Sequence, residues 1–457
     1  MTEWKKYESY DVPVDPSQDD RATTFKLTSF KRPHMRAFHF AWFGFFMAFV
    51  SWFAFAPLMT EIKKDLGMTQ DEVYNANISS VSSTVFARFV VGPLCDTYGA
   101  RIMSTTLLIM GSIPTFFGGL VNSAEDVAII RFFIGVMGAS FVCTQVWSSQ
   151  MFAKEFVGTS NSTTAGWGNL GGGVTQVFMV SVWKLFKQKY SSETSWRLSF
   201  IVPATIVLCV AIGQLFLTDD CPKGNYKELE EYGSRKRKSS SESFKKGFMN
   251  LNSWIMFLHY AACGGVELTM NNIAATYFSD EFNLSTSKAG IVASLFGLMN
   301  LFARSMGGIL SDFMSKKNGG MRGRLLSQWS TLFFEALFLF LFTQMDNLGT
   351  AIIVLVLFST SVQMAEGCTY GIVPYICPNA TGTVSGIVGG GGNFGAIMWG
   401  LIFRFGPDDM RTVLRIISGF VFAISFTTPL IYIKGCSSVF GSPNSGFHNS
   451  PSQNFQI

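Results

Sequence analysis

Charge is what this chain of 457 residues has least of: Asp, Glu, Lys and Arg together make up 14 %, against about 25 % in an ordinary soluble protein. The 35 basic and 30 acidic residues are too few and too clustered for a water-facing surface of this size. Histidine occurs four times, dispersed, and the eight cysteines (Cys95, Cys143, Cys209, Cys221, Cys263, Cys368, Cys377 and Cys436) contain no C-x-x-C pair. No zinc constellation follows from that pattern, nor a disulfide frame; the cysteines read as small hydrophobes in apolar runs. A sustained basic face for nucleic acid is missing too, as is a nucleophile–base pair or metal cluster for an enzyme. No cofactor is expected, and low charge with high hydrophobicity excludes disorder.

What is abundant is apolar sequence. Phe occurs 46 times and the mean hydropathy is +0.29. A bilayer core needs about 20 apolar residues per helix. Such runs lie near 38–58, 77–95, 103–122, 126–147, 164–185 and 198–217, and again near 253–278, 288–310, 325–344, 349–372, 384–404 and 413–433. Twelve spans place both ends on one side. With the N-terminus inside, 22 Lys and Arg fall inside and ten outside, while Arg88, Arg131 and Arg304 lie within spans. That bias predicts cytosolic termini. Residues 1–37 open with no signal-peptide pattern and are expected to be a cytosolic tail. Residues 218–251, with Arg235-Lys236-Arg237-Lys238 before a serine run, read as a cytosolic linker, and 434–457 as a disordered cytosolic tail.

The chain repeats itself. Phe86-Ala87-Arg88, then Gly92 and Asp96, returns 216 residues later as Phe302-Ala303-Arg304, Gly308 and Asp312. Gly168-Asn169-Leu170-Gly171 returns 224 residues later as Gly392-Asn393-Phe394-Gly395. Two matches at nearly one offset predict an all-α membrane protein of two homologous six-helix halves, 38–217 and 252–433. Repeats of this kind place substrate between the halves, near the midplane.

Arg88 and Arg304 each precede by eight residues an Asp expected at the cytosolic end of its helix. At about 1.5 Å per residue the guanidinium groups lie about 12 Å deep, close to the midplane. Burying each costs at least about 2.5 kcal/mol. Two such charges, facing each other, repel until an anion sits between them, which points to a small anionic substrate. Arg also suits planar oxyanions, through paired hydrogen bonds. The bland alternative is pairing with the intramembrane Glu267 and Glu366, which would position the arginines or accept a coupling proton. Asn169 and Asn393, as buried amides, are candidate donors to an oxyanion. The glycine runs around them read first as close helix packing. Gly92-x3-Asp96-x2-Gly99-x-Arg101 reads as a cytosolic gating latch, and Asp312 as its counterpart. Arg131 is expected to begin a helix on the outer side and hold a fixed ion pair.

The twelve-span duplicated plan and the G-x3-D-x2-G-x-R sequence resemble the major facilitator superfamily. Ala165 to Gln176 and Gly386 to Gly395 are similar to the paired glycine-rich signatures of its nitrate/nitrite porter family, of the algal and plant high-affinity type; Gly265-Val266-Glu267-Leu268-Thr269 and Ala365-Glu366-Gly367 add to the likeness. The resemblance covers about residues 38–433. It implies an anion site of Arg88 and Arg304, with contacts from Asn169, from Tyr260 in the seventh span and, by equivalence, from Asn393, and with Phe49 packed on the flat anion. The second gating sequence departs from the pattern: Asp312 is followed by Lys316-Lys317-Asn318, not by a close Gly-x-Arg, which puts the symmetry of the latch in question. The reading is a secondary active nitrate importer, with nitrite as a further substrate, working by alternating access in cation-coupled symport, with more than one cation per anion expected for accumulation in a cell that is negative inside. Protons are the family default and sodium stays open. The bilayer is its setting, the plasma membrane its expected location, and a small accessory membrane subunit a partner used by plant relatives. The alternatives are a nitrate/nitrite exchanger, a carrier of another small anion, or, in a different class, a nitrate-binding sensor. The last would need a folded cytosolic domain that the short polar tails and linker do not supply.

Overall fold

The structure, a computed structural model, describes residues 6–235, 239–436 and 438–440. The tail beyond 440 and the basic residues Lys236, Arg237 and Lys238 lie outside the described residues. Twelve helical spans follow in order: α1 (His34–Trp52), α2 (Gln70–Tyr98), α3 (Ala100–Phe116), α4 (Ala124–Gly135 and Ser140–Met151), α5 (Val157–Lys187), α6 (Ile201–Leu217), α7 (Leu251–Phe282), α8 (Thr286–Leu298 and Ala303–Lys317), α9 (Met321–Phe342), α10 (Leu348–Ile376), α11 (Thr381–Phe405) and α12 (Met410–Ser425). Every expected span overlaps one of them. Most run beyond their apolar stretch, because capping groups lie in the polar flanks; at α2, Thr69 and Glu72 form a capping box.

Ten of the spans are long and apolar enough to cross a bilayer by length and composition. α5 and α7 fall short, and the reason is their place. They are inner helices whose buried residues include Asn169, Gln176, Glu267 and Asn271, so protein rather than lipid surrounds their polar side chains. Large apolar side chains such as Phe86, Phe216, Ile353 and Phe420 stand exposed on the outside, as a lipid-facing surface requires.

Four close helix pairs set the frame: α1 with α5, α7 with α11, α2 with α11, and α5 with α8. The first two lie within the halves and the last two join them. Glycine makes the joints possible. A Cβ on Gly173 of α5 would stand 2.8 Å from Gly297 of α8, and one on Gly92 of α2 would stand 2.5 Å from the Gly382 carbonyl of α11. Both are closer than side chains allow.

From Lys6 onward the head folds onto the end of the bundle that carries the linker, with a two-residue ribbon, β1 (Val14–Asp15) against β2 (Arg21–Ala22). Lys6 reaches Asp219 at 3.0 Å, and Lys223 reaches Asp19 at 2.8 Å. The linker carries two short helices, Tyr226–Glu231 and Ser240–Phe248.

Candidate functional site

Arg304 projects from the second segment of α8 and is fully buried. Its Nη1 lies 2.5 Å from Glu366 Oε2 on α10 and 3.5 Å from Glu267 Oε2 on α7. The first contact lies off the hydrogen-bonding direction and acts as an ion pair. Nη2 donates to the Tyr260 hydroxyl at 2.6 Å, and that hydroxyl donates to Glu366 at 3.0 Å. Glu267 is the hub of an amide ring. It accepts from Asn169 at 2.6 Å, Asn300 at 2.7 Å and Gln363 at 3.2 Å. One guanidinium thus stands against two carboxylates, all buried.

Arg88, on α2, is held differently. Its Nη2 and Nε donate to the Gly138 carbonyl at 3.0 and 3.3 Å, and Nη1 donates to the Gly389 carbonyl of α11. It forms no salt bridge among the described residues. Pairing with a carboxylate therefore describes Arg304 and not Arg88.

The two arginines share a ring that sequence reasoning did not single out. Phe141, on α4, lies 4.9 Å from Arg88 Cζ and 5.6 Å from Arg304 Cζ. Tyr260 stacks on it at 5.8 Å with planes 17° apart, and Tyr370 stands edge-on to both. Phe49 does not occupy this place. It is buried among Phe45, Trp52 and Phe53, one ring removed, since Phe45 lies 5.5 Å from Phe141. Asn393 also departs from its repeat partner: its Nδ2 donates to the Val81 carbonyl at 3.4 Å, tying α11 to α2. Asn169, by contrast, belongs to the Glu267 ring. Several buried polar atoms here have no hydrogen-bond partner among the described residues, including Arg304 Nε, Glu366 Oε1, Asn169 Oδ1 and Asn393 Oδ1. Such a cluster of unmet groups calls for an explanation, and a polar ligand supplies one.

The end of the bundle that carries the linker is closed twice, in the same way. Asp96, ending α2, accepts from the Gly382 and Thr383 amides at the start of α11, at 3.1 and 3.3 Å. Asp312, ending α8, accepts from the Thr159 amide and hydroxyl at the start of α5, both at 2.8 Å. A carboxylate at a helix N-terminus meets orphan donors and the positive end of the dipole. Arg101 engages neither latch carboxylate in a salt bridge; it lies 3.6 Å from Asp220 and donates to the Leu215 carbonyl at 2.6 Å. Gly99 turns there with φ +93°, and a Cβ would press on Asp220 Oδ1 at 2.6 Å. Across the repeat, Arg324 pairs with Asp312 at 2.7 Å. The second gating sequence thus departs in spacing and in partner: its arginine comes later in the chain, after a loop with Gly319 and Gly320, and pairs with the latch carboxylate, which Arg101 does not.

Arg131 corrects another expectation. It sits inside α4, fully buried, and makes no salt bridge among the described residues. It donates to Asn77 at 2.6 Å and, across the halves, to Asn272 of α7 at 3.1 Å. Arg404 of α11 meets Asp71 of α2 at 3.2 Å. Asn77 and Asn272 line a small cleft with Tyr74, Thr269 and Phe403. Bonds between the halves therefore close the molecule at both ends of the bundle. Among the described residues, no cluster of His, Cys, Asp and Glu could hold a metal ion.

Residues 41–400 match the Major Facilitator Superfamily. The chain is 41 % identical over 436 residues to High affinity nitrate transporter 2.5 of Arabidopsis thaliana, covering 95 % of this chain and 86 % of that protein. It is 37 % identical over 438 residues to High-affinity nitrate transporter 2.3 of Oryza sativa subsp. japonica, covering 95 % and 84 %. A solved bacterial homolog of the human lysosomal transporter Spinster, in an inward-facing and occupied conformation, superposes with a TM-score of 0.63 at 14 % identity, covering 89 % of this chain and 99 % of that one. That likeness concerns the fold alone.

Proposed function

The chain belongs to the Major Facilitator Superfamily and, within it, to the family of high-affinity nitrate transporters; from that membership we propose that it imports nitrate across the plasma membrane by alternating access, coupled to protons. It is a multi-pass membrane transporter, not an enzyme. The observation that carries the reading is the pair of buried arginines, one from each repeat, gathered on the Phe141 ring. Nitrate is flat and singly charged. The ring supplies a flat apolar wall, and the two guanidinium groups supply forked donors. Because the arginines come from different halves, an anion bound to both pulls the halves together, and its binding energy biases the equilibrium between states.

Charge counting supports proton coupling. Arg88 and Arg304 balance Glu267 and Glu366, so the empty site sums to zero. Bound nitrate leaves one negative charge in a desolvated place, and a proton on the Glu267–Glu366 pair restores neutrality. Nitrite, with the same charge and one oxygen fewer, fits the same argument. Both termini face the cytosol in this reading, in keeping with the basic bias of the inner loops. Sodium in place of the proton, and a small accessory membrane subunit, are outcomes for experiment to decide.

The test is labelled nitrate uptake into proteoliposomes by wild type and Arg304→Lys, under an imposed pH gradient and then a sodium gradient. Uptake that follows the pH gradient and collapses in the Arg304→Lys variant is expected. Robust uptake by that variant removes the forked-donor argument, and sodium-driven uptake replaces the coupling ion. Nitrate exchange without need of any gradient makes the protein an exchanger, and no uptake at all points to another anion or a required subunit.

A further inference from the structure

The linker reads from its sequence as a polar connection between the halves, yet its second helix is wedged into the cytosolic latch. Ser243 is 4 % exposed. Its hydroxyl donates to Asp96 Oδ2 at 2.6 Å and lies 2.9 Å from the Thr383 hydroxyl. One side chain thus touches the end of α2 in one half and the start of α11 in the other. Ser240 stands 2.6 Å from the Thr97 hydroxyl, and Arg235, itself buried, donates to the Asp96 carbonyl at 2.8 Å. The helix lies close on α11, since a Cβ on Gly247 would meet Thr383 at 2.6 Å. The latch carboxylate is therefore satisfied from three sides: by the two amides of α11 and by the linker hydroxyl.

We propose that Ser243 is a phosphorylation site whose modification disables the cytosolic latch. The flanks suit a kinase that reads basic residues, with Lys245 and Lys246 just after the serine and Arg235 to Lys238 before it. The Ser243 oxygen attacks the γ-phosphorus of a nucleoside triphosphate, the new O–P bond forms, the bond to the β,γ-bridging oxygen breaks, the nucleoside diphosphate leaves, and the hydroxyl proton passes to the kinase's base. The product replaces a donor with about two negative charges beside the Asp96 carboxylate. With the latch shut, Ser243 is out of a kinase's reach. Modification thus acts on molecules caught open to the cytosol and holds them there, and it stops import without touching the anion site.

The inference rests on the transport reading only for its uptake readout. The full chain in proteoliposomes is incubated with Mg-ATP and a basophilic serine kinase, and the site is mapped by mass spectrometry beside a peptide spanning 232–250. Phosphate on Ser243 of the full chain is expected; labelling of that serine in the peptide alone overturns the proposal. Ser243→Asp should lower import about tenfold or more, Ser243→Ala much less, and Asp96→Asn should restore part of the loss in Ser243→Asp by removing the repulsion. Hydrogen exchange over residues 92–98 and 381–386 should rise in Ser243→Asp whatever the anion carried. Equal behaviour of the Asp and Ala variants in exchange and uptake, or no recovery with Asp96→Asn, refutes it.

Discussion

Replacing Glu366 by Gln separates carrying nitrate from driving it. In the wild type one buried guanidinium, Arg304, stands against Glu366 at 2.5 Å and Glu267 at 3.5 Å, with Arg88 bonded to carbonyls and not to a carboxylate. In the proposed mechanism, nitrate binding takes that balanced set to one negative charge, which one proton cancels. Coupled to one proton, transport is electroneutral, and a gradient of one pH unit drives about tenfold accumulation, or about 1.4 kcal/mol. Without the proton, nitrate moving into a cell at 100 mV negative inside is opposed by about 2.3 kcal/mol. In Glu366→Gln the set with nitrate bound is already neutral: two arginines, one carboxylate and one anion. The proton then has no electrostatic reason to travel. The assay loads proteoliposomes at pH 7, dilutes them into pH 6, clamps the membrane potential at zero and follows labelled nitrate. The wild type should approach about tenfold accumulation, and the variant should stop near equal concentrations while still exchanging labelled for unlabelled nitrate. A variant that accumulates as the wild type does refutes the charge count. Glu267→Gln should behave worse, because a Gln amide would point donors at some of the three amides that Glu267 now accepts from. Each orphaned buried donor costs about 1–3 kcal/mol, so lost protein stability, read as a lower Tm, should accompany lost coupling.

Arg88→Lys keeps the charge but cannot reproduce donation from Nη1 to Gly389 and from Nη2 and Nε to Gly138. Losing one or two charge-assisted bonds should raise the nitrate KM by about ten- to a hundredfold, and an unchanged KM would show that a point charge suffices. Gly92→Ala should press a methyl to 2.5 Å from the Gly382 carbonyl, and Gly308→Ala should press one on Gly158 and Ser162. Each should cut uptake sharply while the protein still folds, as judged by its thermal unfolding; normal uptake by both would mean that the joints give way easily. Burial pushes the Asp220 carboxyl up to about 6 from 3.8, against the pull of Arg101. A raised acid favours the folded state while protonated, so its destabilisation is absent below about pH 4 and full above about pH 6, where it amounts to about 3 kcal/mol. Asp220→Asn should therefore unfold at a higher temperature than wild type at pH 7, with the gap closing by pH 4; a gap of constant size would show that the carboxyl is not raised.

The twelve spans, the glycine runs and the burial of the two arginines could be read in the sequence because each rests on local spacing. What escaped depends on which faces meet. Phe141 is one of 46 Phe, and nothing in its neighbourhood separates it from lipid-facing rings; only the approach of α2, α4 and α8 places it beside two arginines. Phe49 has the expected local pattern, and a neighbouring turn of α1 and α5 keeps it one ring away. Asn169 and Asn393 look equivalent because the repeat preserves them, yet both carboxylates of the site, Glu267 and Glu366, belong to the second half. The amide of the first half meets a carboxylate across the interface, and the amide of the second half meets a backbone carbonyl. Arg324 was hidden by its spacing, and Arg131 was mistaken for half of an ion pair because two asparagine oxygens can take the place of a carboxylate. Glu335 of α9 also passed unnoticed, a fully buried carboxyl with both oxygens unbonded; a side chain so costly to bury marks a polar spot that no local spacing announces.

Latch and site share the same helices, and glycine sets how they communicate. Along α2 and α11, Gly92 meets Gly382 at the latch, about one turn deeper Gly386 lies on the Arg88 carbonyl, and about two turns deeper Gly389 accepts from the Arg88 side chain. Along α8 and α5, Gly308 meets Gly158 at the latch, a Cβ on Gly166 would stand 2.9 Å from Arg304 Cβ, and Gly173 meets Gly297 beyond it. Each arginine is thus fixed to one rail of a two-rail joint between the halves. Backbone against backbone leaves no long side chain to bend and absorb a displacement, so a shift at either end is passed along the rail. An anion that draws Arg88 and Arg304 toward the Phe141 ring therefore acts on both latch carboxylates at once, and a change at Asp96 acts back on Arg88. The thermodynamic consequence is reciprocal: whatever factor nitrate contributes to closing or opening the latch, the state of the latch must contribute to nitrate affinity. Asp96→Asn, which weakens the latch from about 10 Å or more below the site, should then change the equilibrium affinity for nitrate, and in the wild type nitrate should in turn change hydrogen exchange at residues 92–98. No change in either would mean that the rails bend, and that latch and site move independently.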